Sequence, residues 1–271
     1  MKQASSKILA KFFIVTPSFN QVAYLERTIN SVLSQTGSFE IHYFIVDGGS
    51  KDGSVDILKK YSHKLSFTSE KDNGQTDAIN KGIKYFKRFS EIDPKPTYFA
   101  YINSDDYYLP STFEKVQKAF ERNKNFDWII GDSIIVNDKN QEIHKLLRLY
   151  KSFWRRFLSK GLLLVLNPIP QPSIFIRWNA LKKIGYFNPT LKYTMDYEYW
   201  NRLMKDFYKP LIISTPLSAF RVHSKSKGGS QHTQQFEEEL EVAKKFTNSK
   251  FYLFLHKIHK FLIIFIYNII K

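Results

Sequence analysis

Residues 12–50 read FFIVTPSFNQVAYLERTINSVLSQTGSFEIHYFIVDGGS, two apolar runs on either side of a helical repeat. Phe12–Val15 is a brief apolar run broken by Pro17, the pattern of a buried strand. Asn20 stands where a helix cap is expected. Val22, Leu25, Ile29, Val32 and Leu33 then return at helical spacing, and Gly37 stops the run. Ile41–Val46 is a second apolar run, closed by Asp47-Gly-Gly-Ser50. A strand, a helix and a strand on short loops make a βαβ unit, which predicts parallel pairing.

The alternation continues outward from there. Ser54–Tyr61 reads as a helix, Leu65–Ser69 as a strand, Thr76–Phe86 as a helix and Tyr98–Ile102 as a strand. Phe113–Phe120 is a helix and Trp128–Ile130 a strand. The expected class is α/β, with a Rossmann-like, mostly parallel central sheet flanked by helices. Beyond Asp132 the pattern loosens. Ile134–Val136, Glu142–Leu149, Ser173–Ile176, Leu211–Ile213 and Leu217–Val222 read as strands, part of a smaller mixed sheet. Helices are expected at Asn179–Ile184, Tyr197–Met204 and Glu237–Phe246, with an apolar tail at Phe251–Ile270.

Composition narrows the class. A chain of 271 residues is long enough for one such domain with a tail. Hydrophobic residues at 43% and charged residues at 24% exclude a disordered chain. The absence of Cys excludes a disulfide scaffold, a Cys-ligated zinc site, an iron–sulfur cluster and a thiol nucleophile. The net charge of +16 points to nucleic acid, nucleotide phosphates or anionic lipid as partner.

The positive charge is concentrated. Lys145, Arg148, Lys151, Arg155, Arg156 and Lys160 lie in a stretch without acid, interleaved with Phe153, Trp154, Phe157 and Leu158. Residues 250–271 likewise hold Lys and His but no acid. With Lys257, Lys260, His256 and His259 near its middle, Phe251–Ile270 is a poor match to the roughly 20 apolar residues of a membrane span. It suits a helix lying on an anionic membrane surface; a core-packed or dimer helix is the alternative, which leaves a homo-oligomer open. Nucleic acid is not expected, because these aromatics sit with aliphatic runs and not in a polar groove. The N-terminal apolar stretch is too short for an export signal. The expected location is cytoplasmic, peripheral at the inner face of the cell membrane.

Four strands end in polar clusters: Thr16-Pro-Ser18, Asp47-Gly-Gly-Ser50, Glu70-Lys-Asp-Asn-Gly74 and Asn103-Ser-Asp-Asp106. Ligands of open α/β sheets bind outside the carboxyl ends of the strands, so one shared site is expected. Asp105 and Asp106 offer hard oxygens suited to Mn²⁺ or Mg²⁺ with phosphate; a capped turn is the alternative. The Asp47 loop matches neither a phosphate-binding P-loop nor a dinucleotide fingerprint, and Asp47 can accept from a base or a ribose. Asp77, Asn80 and Lys81 open a helix. Asp196 precedes a helix among aromatics, which would raise its pKa and suit a general base, or it caps that helix with Glu198 in the first turn. His223 follows an apolar strand and can ligate metal, touch phosphate or serve as an ordinary loop residue.

In series, these motifs resemble a family 2 glycosyltransferase of GT-A fold. Those that carry the resemblance are Val15-Thr-Pro-Ser-Phe-Asn20, Val46-Asp-Gly-Gly-Ser-Lys-Asp-Gly53, Glu70…Asp72-Asn-Gly74, Asp77-Ala-Ile-Asn-Lys-Gly82, Asn103-Ser-Asp-Asp106, Gln171-Pro-Ser173, Met195-Asp-Tyr-Glu198 and His223. Together they span about residues 12 to 226. The resemblance implies inverting transfer of a sugar from a nucleotide-sugar donor, UDP-linked by expectation, to a hydroxyl of a lipid-linked glycan or surface polysaccharide. It implies a donor site of Thr16, Pro17, Asp47, Asp77, Asn103, Asp105 and Asp106, a Mn²⁺ or Mg²⁺ ion on Asp106 and His223, and Asp196 as the acceptor's base. Lys225 and Lys227 would close over the phosphates beside His223. The expected division is a catalytic domain over 1–230 and a C-terminal helical, membrane-associating segment over 231–271. Two positions depart from the family pattern: Met195, where many relatives have Glu, and Gln171, where relatives often have His. A nucleotidyltransferase of similar fold would need a Gly/Arg/Lys-rich loop after the first strand, which Thr16–Asn20 lacks. A non-catalytic basic adaptor for membrane or nucleic acid would not need Asp105, Asp106 and Asp196.

Overall fold

A computed structural model describes residues 9–88, 95–207, 209–223 and 232–270. Strands β1 (Ala10–Ser18), β2 (Phe39–Asp47), β3 (Ser66–Ser69) and β4 (Thr97–Tyr101) pair in parallel, with β1 between β2 and β4. Helices α1 (Val22–Leu33), α2 (Ser54–Lys60) and α3 (Gln75–Lys87) make the crossovers. The chain continues through β5 (Tyr107–Tyr108), α4 (Thr112–Arg122), β6 (Trp128–Val136), α5 (Lys145–Arg155) and α6 (Lys160–Val165). A 3-10 turn at Gln171–Ser173 leads to β7 (Ile174–Arg177), α7 (Trp178–Ile184), α8 (Met195–Phe207), β8 (Leu211–Arg221), α9 (His232–Phe246) and α10 (Lys250–Ile270). One eight-stranded sheet results, in the order β3-β2-β1-β4-β7-β6-β8-β5. The strands expected to form a smaller mixed sheet extend the parallel one: β7 runs antiparallel to β4 and β6, and β5 to β8.

Two expectations are corrected. Glu142–Leu149 is not a strand: Glu142 makes a single bridge to Val136, and α5 begins at Lys145. Its apolar residues Leu146, Leu149, Tyr150 and Phe153 recur every three or four positions, which is helical spacing. Leu211–Ile213 and Leu217–Val222 are not two strands, since β8 runs through Pro216. Ser214 and Thr215 beside it are exposed, where a missing N–H is tolerated. Lys225 and Lys227 lie outside the described residues.

The chain forms two compact units. The first comprises residues 1–134, 170–186 and 213–220; the second comprises 135–169, 187–212 and 221–271. The C-terminal helices α9 and α10 belong to the second unit, together with α5, α6 and α8.

The core of the first unit is aromatic on both faces of β1. Adjacent strand residues point to opposite faces. Phe12 stacks on Phe113 of α4 at 4.6 Å, and Phe13 stacks on Phe86 of α3 at 4.5 Å. All four rings are at most 1% exposed. Gly82 lets α3 approach β1, because a Cβ there would lie 2.4 Å from Val15 Cγ2. The abundance of Phe and Tyr is therefore largely a packing feature, and it fixes the strand ends that carry the polar clusters.

Candidate active site

In the first unit the carboxyl ends of the parallel strands line up. Ser18, Asp47 and Ser69 are register partners across β1, β2 and β3. Asp47 is fully buried, and its carboxylate is heavily used. Oδ1 accepts from Gly49 N (3.1 Å), Ser50 N (2.9 Å) and Ser69 Oγ (2.7 Å), and Oδ2 accepts from Ser50 Oγ (2.5 Å). These bonds fold residues 48–51 back over the strand end. Gly49 makes the turn at φ +84°, where a side chain would be strained. The loop after β1 is stitched to this one. Asn20 does not cap α1; its Oδ1 accepts from Lys51 N (3.0 Å), while Asp52 Oδ2 accepts from Val22 N (2.9 Å). Thr16 and Pro17 are buried within β1, and Thr16 Oγ1 pairs with Tyr43 Oη at 2.9 Å. The hydroxyl of Thr16 therefore belongs to the core.

At the start of α3, Asp72 Oδ1 accepts from Gly74 N (2.8 Å) and Asp77 Oδ2 accepts from Asn73 N (3.1 Å). Lys81 reaches Glu70 at 3.0 Å and Asp77 at 3.7 Å. Both contacts are surface pairs of modest energy.

The end of β4 holds the densest cluster. Asn103 Oδ1 accepts from Gln75 Nε2 at 2.6 Å, and Asn103 Nδ2 faces Gln171 Oε1 at 3.3 Å and Asp106 Oδ2 at 3.4 Å. Gln171 in turn donates Nε2 to the Tyr101 carbonyl at 3.0 Å. The Gln at 171 thus links the 3-10 turn to β4 and holds Asn103 beside Asp106. Asp106 is 1% exposed, and its carbonyl accepts from Thr28 Oγ1 of α1 at 2.6 Å. Asp105 is half-buried next to it. The sequence motifs do not single out Gln75; it is a polar residue in the first turn of a helix, where its side chain can reach back to the strand end.

The second unit holds Asp196 and His223. Asp196 lies in the first turn of α8, inside the helix and not at its cap, and Oδ1 accepts from Tyr197 N at 2.7 Å. Although part of its surface remains accessible, burial of the carboxyl is the main influence and pushes it up to about 6; the Tyr197 N–H and Lys151 oppose that rise, and Glu238 adds to it. Two glutamates of α9 flank this helix start. Glu238 accepts from the N–H groups of Lys192 (2.9 Å), Tyr193 (2.7 Å) and Thr194 (2.9 Å), and from Thr194 Oγ1 (2.9 Å). Burial alone would raise its pKa, but these donors outweigh burial and hold it below the usual carboxylate range. Glu239 is 8% exposed, and burial first, then the charge of Asp196, push it up to about 7. Lys151 of α5 interacts with both Asp196 and Glu239, and burial depresses its pKa. Neither Glu238, Glu239 nor Lys151 carries a local motif, and all are more than 40 positions from Asp196. His223, two residues past the end of β8, is 8% exposed. Among the described residues no three or more His, Asp or Glu side chains gather as an all-protein metal cage.

A family model described as Glycosyl transferase family 2 matches residues 13–185. The chain belongs to that family. It is 27% identical over 193 residues to an uncharacterised glycosyltransferase of Rickettsia typhi, covering 71% of this chain and 58% of that one. It is 28% identical over 180 residues to the minor teichoic acid biosynthesis protein GgaB of Bacillus subtilis, covering 65% of this chain and 19% of GgaB. The chain therefore spans about half or less of the length of these relatives. Its fold is the GT-A fold. It resembles the crystal structure of S. aureus TarS 1-349 in complex with UDP-GlcNAc, with TM-score 0.64 and 18% identity over 89% of this chain and 67% of that one. It also resembles the mannosyltransferase PcManGT of Pyrobaculum calidifontis in complex with GDP-Man and Mn²⁺, with TM-score 0.62 and 13% identity over 94% of this chain and 70% of that one.

Proposed function

We propose that the chain is an inverting glycosyltransferase that moves a sugar from a UDP-linked donor to a hydroxyl of a lipid-linked glycan or surface polysaccharide at an anionic membrane surface. The observation that carries this is the Gln75–Asn103–Asp106–Gln171 cluster, built at a strand end of a family 2 chain. The nucleotide sugars bound by the TarS and PcManGT structures support the donor class, and the teichoic acid role of GgaB supports a polymer acceptor.

The loops shaped by Asp47 and by Asp72 and Asp77 would receive the nucleoside, with Thr16 and Pro17 forming the strand floor. Asp105 and Asp106 fit a Mn²⁺ or Mg²⁺ ion: they are hard-oxygen donors, and one or two carboxylates suffice where diphosphate oxygens and water complete the shell. A bound cation supplies charge neutralisation for the departing nucleoside diphosphate. Asn103, held by Gln75 and Gln171, orients Asp106.

Asp196 takes the proton of the acceptor hydroxyl. That oxygen bonds to the anomeric carbon on the face opposite the leaving group, and the anomeric C–O bond breaks with its electron pair going to the diphosphate. A carboxyl that titrates at about 6 is ionised at neutral pH yet more basic than an ordinary Asp, which suits this role. Thermal unfolding with UDP or GDP, each with Mn²⁺ or with EDTA, tests the donor site. UDP with Mn²⁺ should raise the melting temperature and UDP with EDTA should raise it less. No rise with either nucleotide would remove the donor assignment.

A further inference from the structure

Two helices of the second unit leave apolar stripes uncovered. On α5, Leu146, Leu149 and Phe153 follow each other at three- and four-residue steps, so they share one side of the helix. They are 53% to 83% exposed. Phe157 continues the row one turn later, with its ring 5.3 Å from that of Phe153. On α10, Phe251, Phe254 and Phe261 recur likewise and are 60% to 69% exposed. The helices meet where Tyr150 Oη pairs with His259 Nε2 at 3.0 Å and the two rings stack. The inner side of α10 is accounted for separately: His256 Nδ1 bonds the Leu164 carbonyl at 2.8 Å, and Lys260 interacts with Glu239. The stripes are therefore not the packed sides of these helices.

The charges beside the stripes are mainly cationic, the acid nearest α5 being Glu142, which pairs with Lys145 and Arg148. Neither α5 nor α10 contains an acid. Lys145, Arg156, Lys250 and Lys257 are all exposed, on or next to these helices. Among the described residues no helix is long and apolar enough to cross a membrane. An apolar stripe edged by cations matches the boundary of an anionic bilayer, where aromatic rings enter the acyl region while lysine stems lie along it.

Taking the chain as the glycosyltransferase proposed above, we propose that the exposed stripes of α5 and α10 form a docking face for anionic lipid, and that this face brings the enzyme to a lipid-borne acceptor. The basic residues at its edge each add about a fivefold gain in binding to an anionic surface. The apolar side chains give the part that salt does not remove.

Sedimentation of the full chain with phosphatidylcholine vesicles, with and without one quarter phosphatidylglycerol, tests this. The chain should bind the anionic vesicles at least tenfold better than the neutral ones. The pairs Leu149→Glu with Phe153→Glu, and Phe254→Glu with Phe261→Glu, should each weaken anionic binding by tenfold or more. Lys250→Glu with Lys257→Glu, which leaves the apolar surface intact, should weaken it by a similar factor. The melting shift with UDP and Mn²⁺ should persist in all three variants, so loss of that shift in the parent chain counts against the transferase assignment and not against the face. Equal binding to both vesicle types, or unchanged binding by the variants, would overturn the proposal. A lipid-free dimer that the apolar variants dissociate would overturn it too, by showing a second copy on these stripes.

Discussion

Glu238 Oε2 accepts both the N–H and the hydroxyl of Thr194, each at 2.9 Å, and Thr194 is the residue directly before α8. With the bonds to Lys192 and Tyr193, one carboxylate of α9 sets where α8 begins and so where Asp196 stands. Hydrogen bonds to a charged group contribute roughly 1.5–3 kcal/mol each when buried, and less where water can replace them.

Glu238→Ala should therefore lower stability by about 2 kcal/mol, or about 5 °C in melting temperature for a chain of this size. Because its carboxyl is held below the usual range, this contribution is present above the unfolded value and lost as pH falls through the folded one. Calorimetry at pH 7 reads it. An unchanged melting temperature would show that the clamp does not hold the helix start.

Asp196→Asn keeps the side-chain shape and the Oδ1 acceptor for Tyr197 N–H. Transfer should fall by roughly 10²-fold or more, while the melting shift with UDP and Mn²⁺ stays. In the parent chain, transfer should decline as pH falls through about 6, where Asp196 gains its proton. A variant as active as the parent would return Asp196 to a purely structural role.

Glu239 gives a prediction in the opposite pH direction. Its folded pKa of about 7 lies above the ordinary value of 4.5, so the neutral carboxyl favours the fold below 4.5 and that benefit is lost as pH rises through 7. Glu239→Gln mimics the neutral form and keeps an acceptor for Gln235 Nε2. It should be near neutral in melting temperature at pH 4.5 and stabilising at pH 8.5. Equal effects at both pH values would mean that Glu239 is not held protonated by its site.

The parallel sheet and the donor-side residues are legible in the sequence because each motif is local. A short apolar run, a polar turn and a helical repeat recur three times between Phe12 and Lys87, a fourth run and turn end at Asp106, and strand ends place those turns together. The start of α5 passes for a strand because Ile143, Leu147 and Leu149 alternate in part with His144 and Arg148 over a short segment; only Phe153 and Phe157 extend its helical period. The surroundings of Asp196 are not legible. Glu238 and Glu239 sit in Glu237-Glu-Glu-Leu-Glu241, an ordinary charged helix in sequence. Which of those acids turn inward depends on how α8 and α9 pack. The role of Gln171 is hidden for the same reason: its partners Asn103 and Tyr101 are 68 and 70 positions away.

In the proposed function the Asp105–Asp106 turn after β4 activates a nucleotide-sugar donor. Release of nucleoside diphosphate from UDP-GlcNAc, UDP-glucose and GDP-mannose in Mn²⁺ is the measurement to make, on the parent chain and on Asp106→Ala. Release from at least one donor by the parent, stopped by EDTA and reduced by about 10²-fold or more in Asp106→Ala, is the expected result. Release that continues undiminished in Asp106→Ala would contradict it.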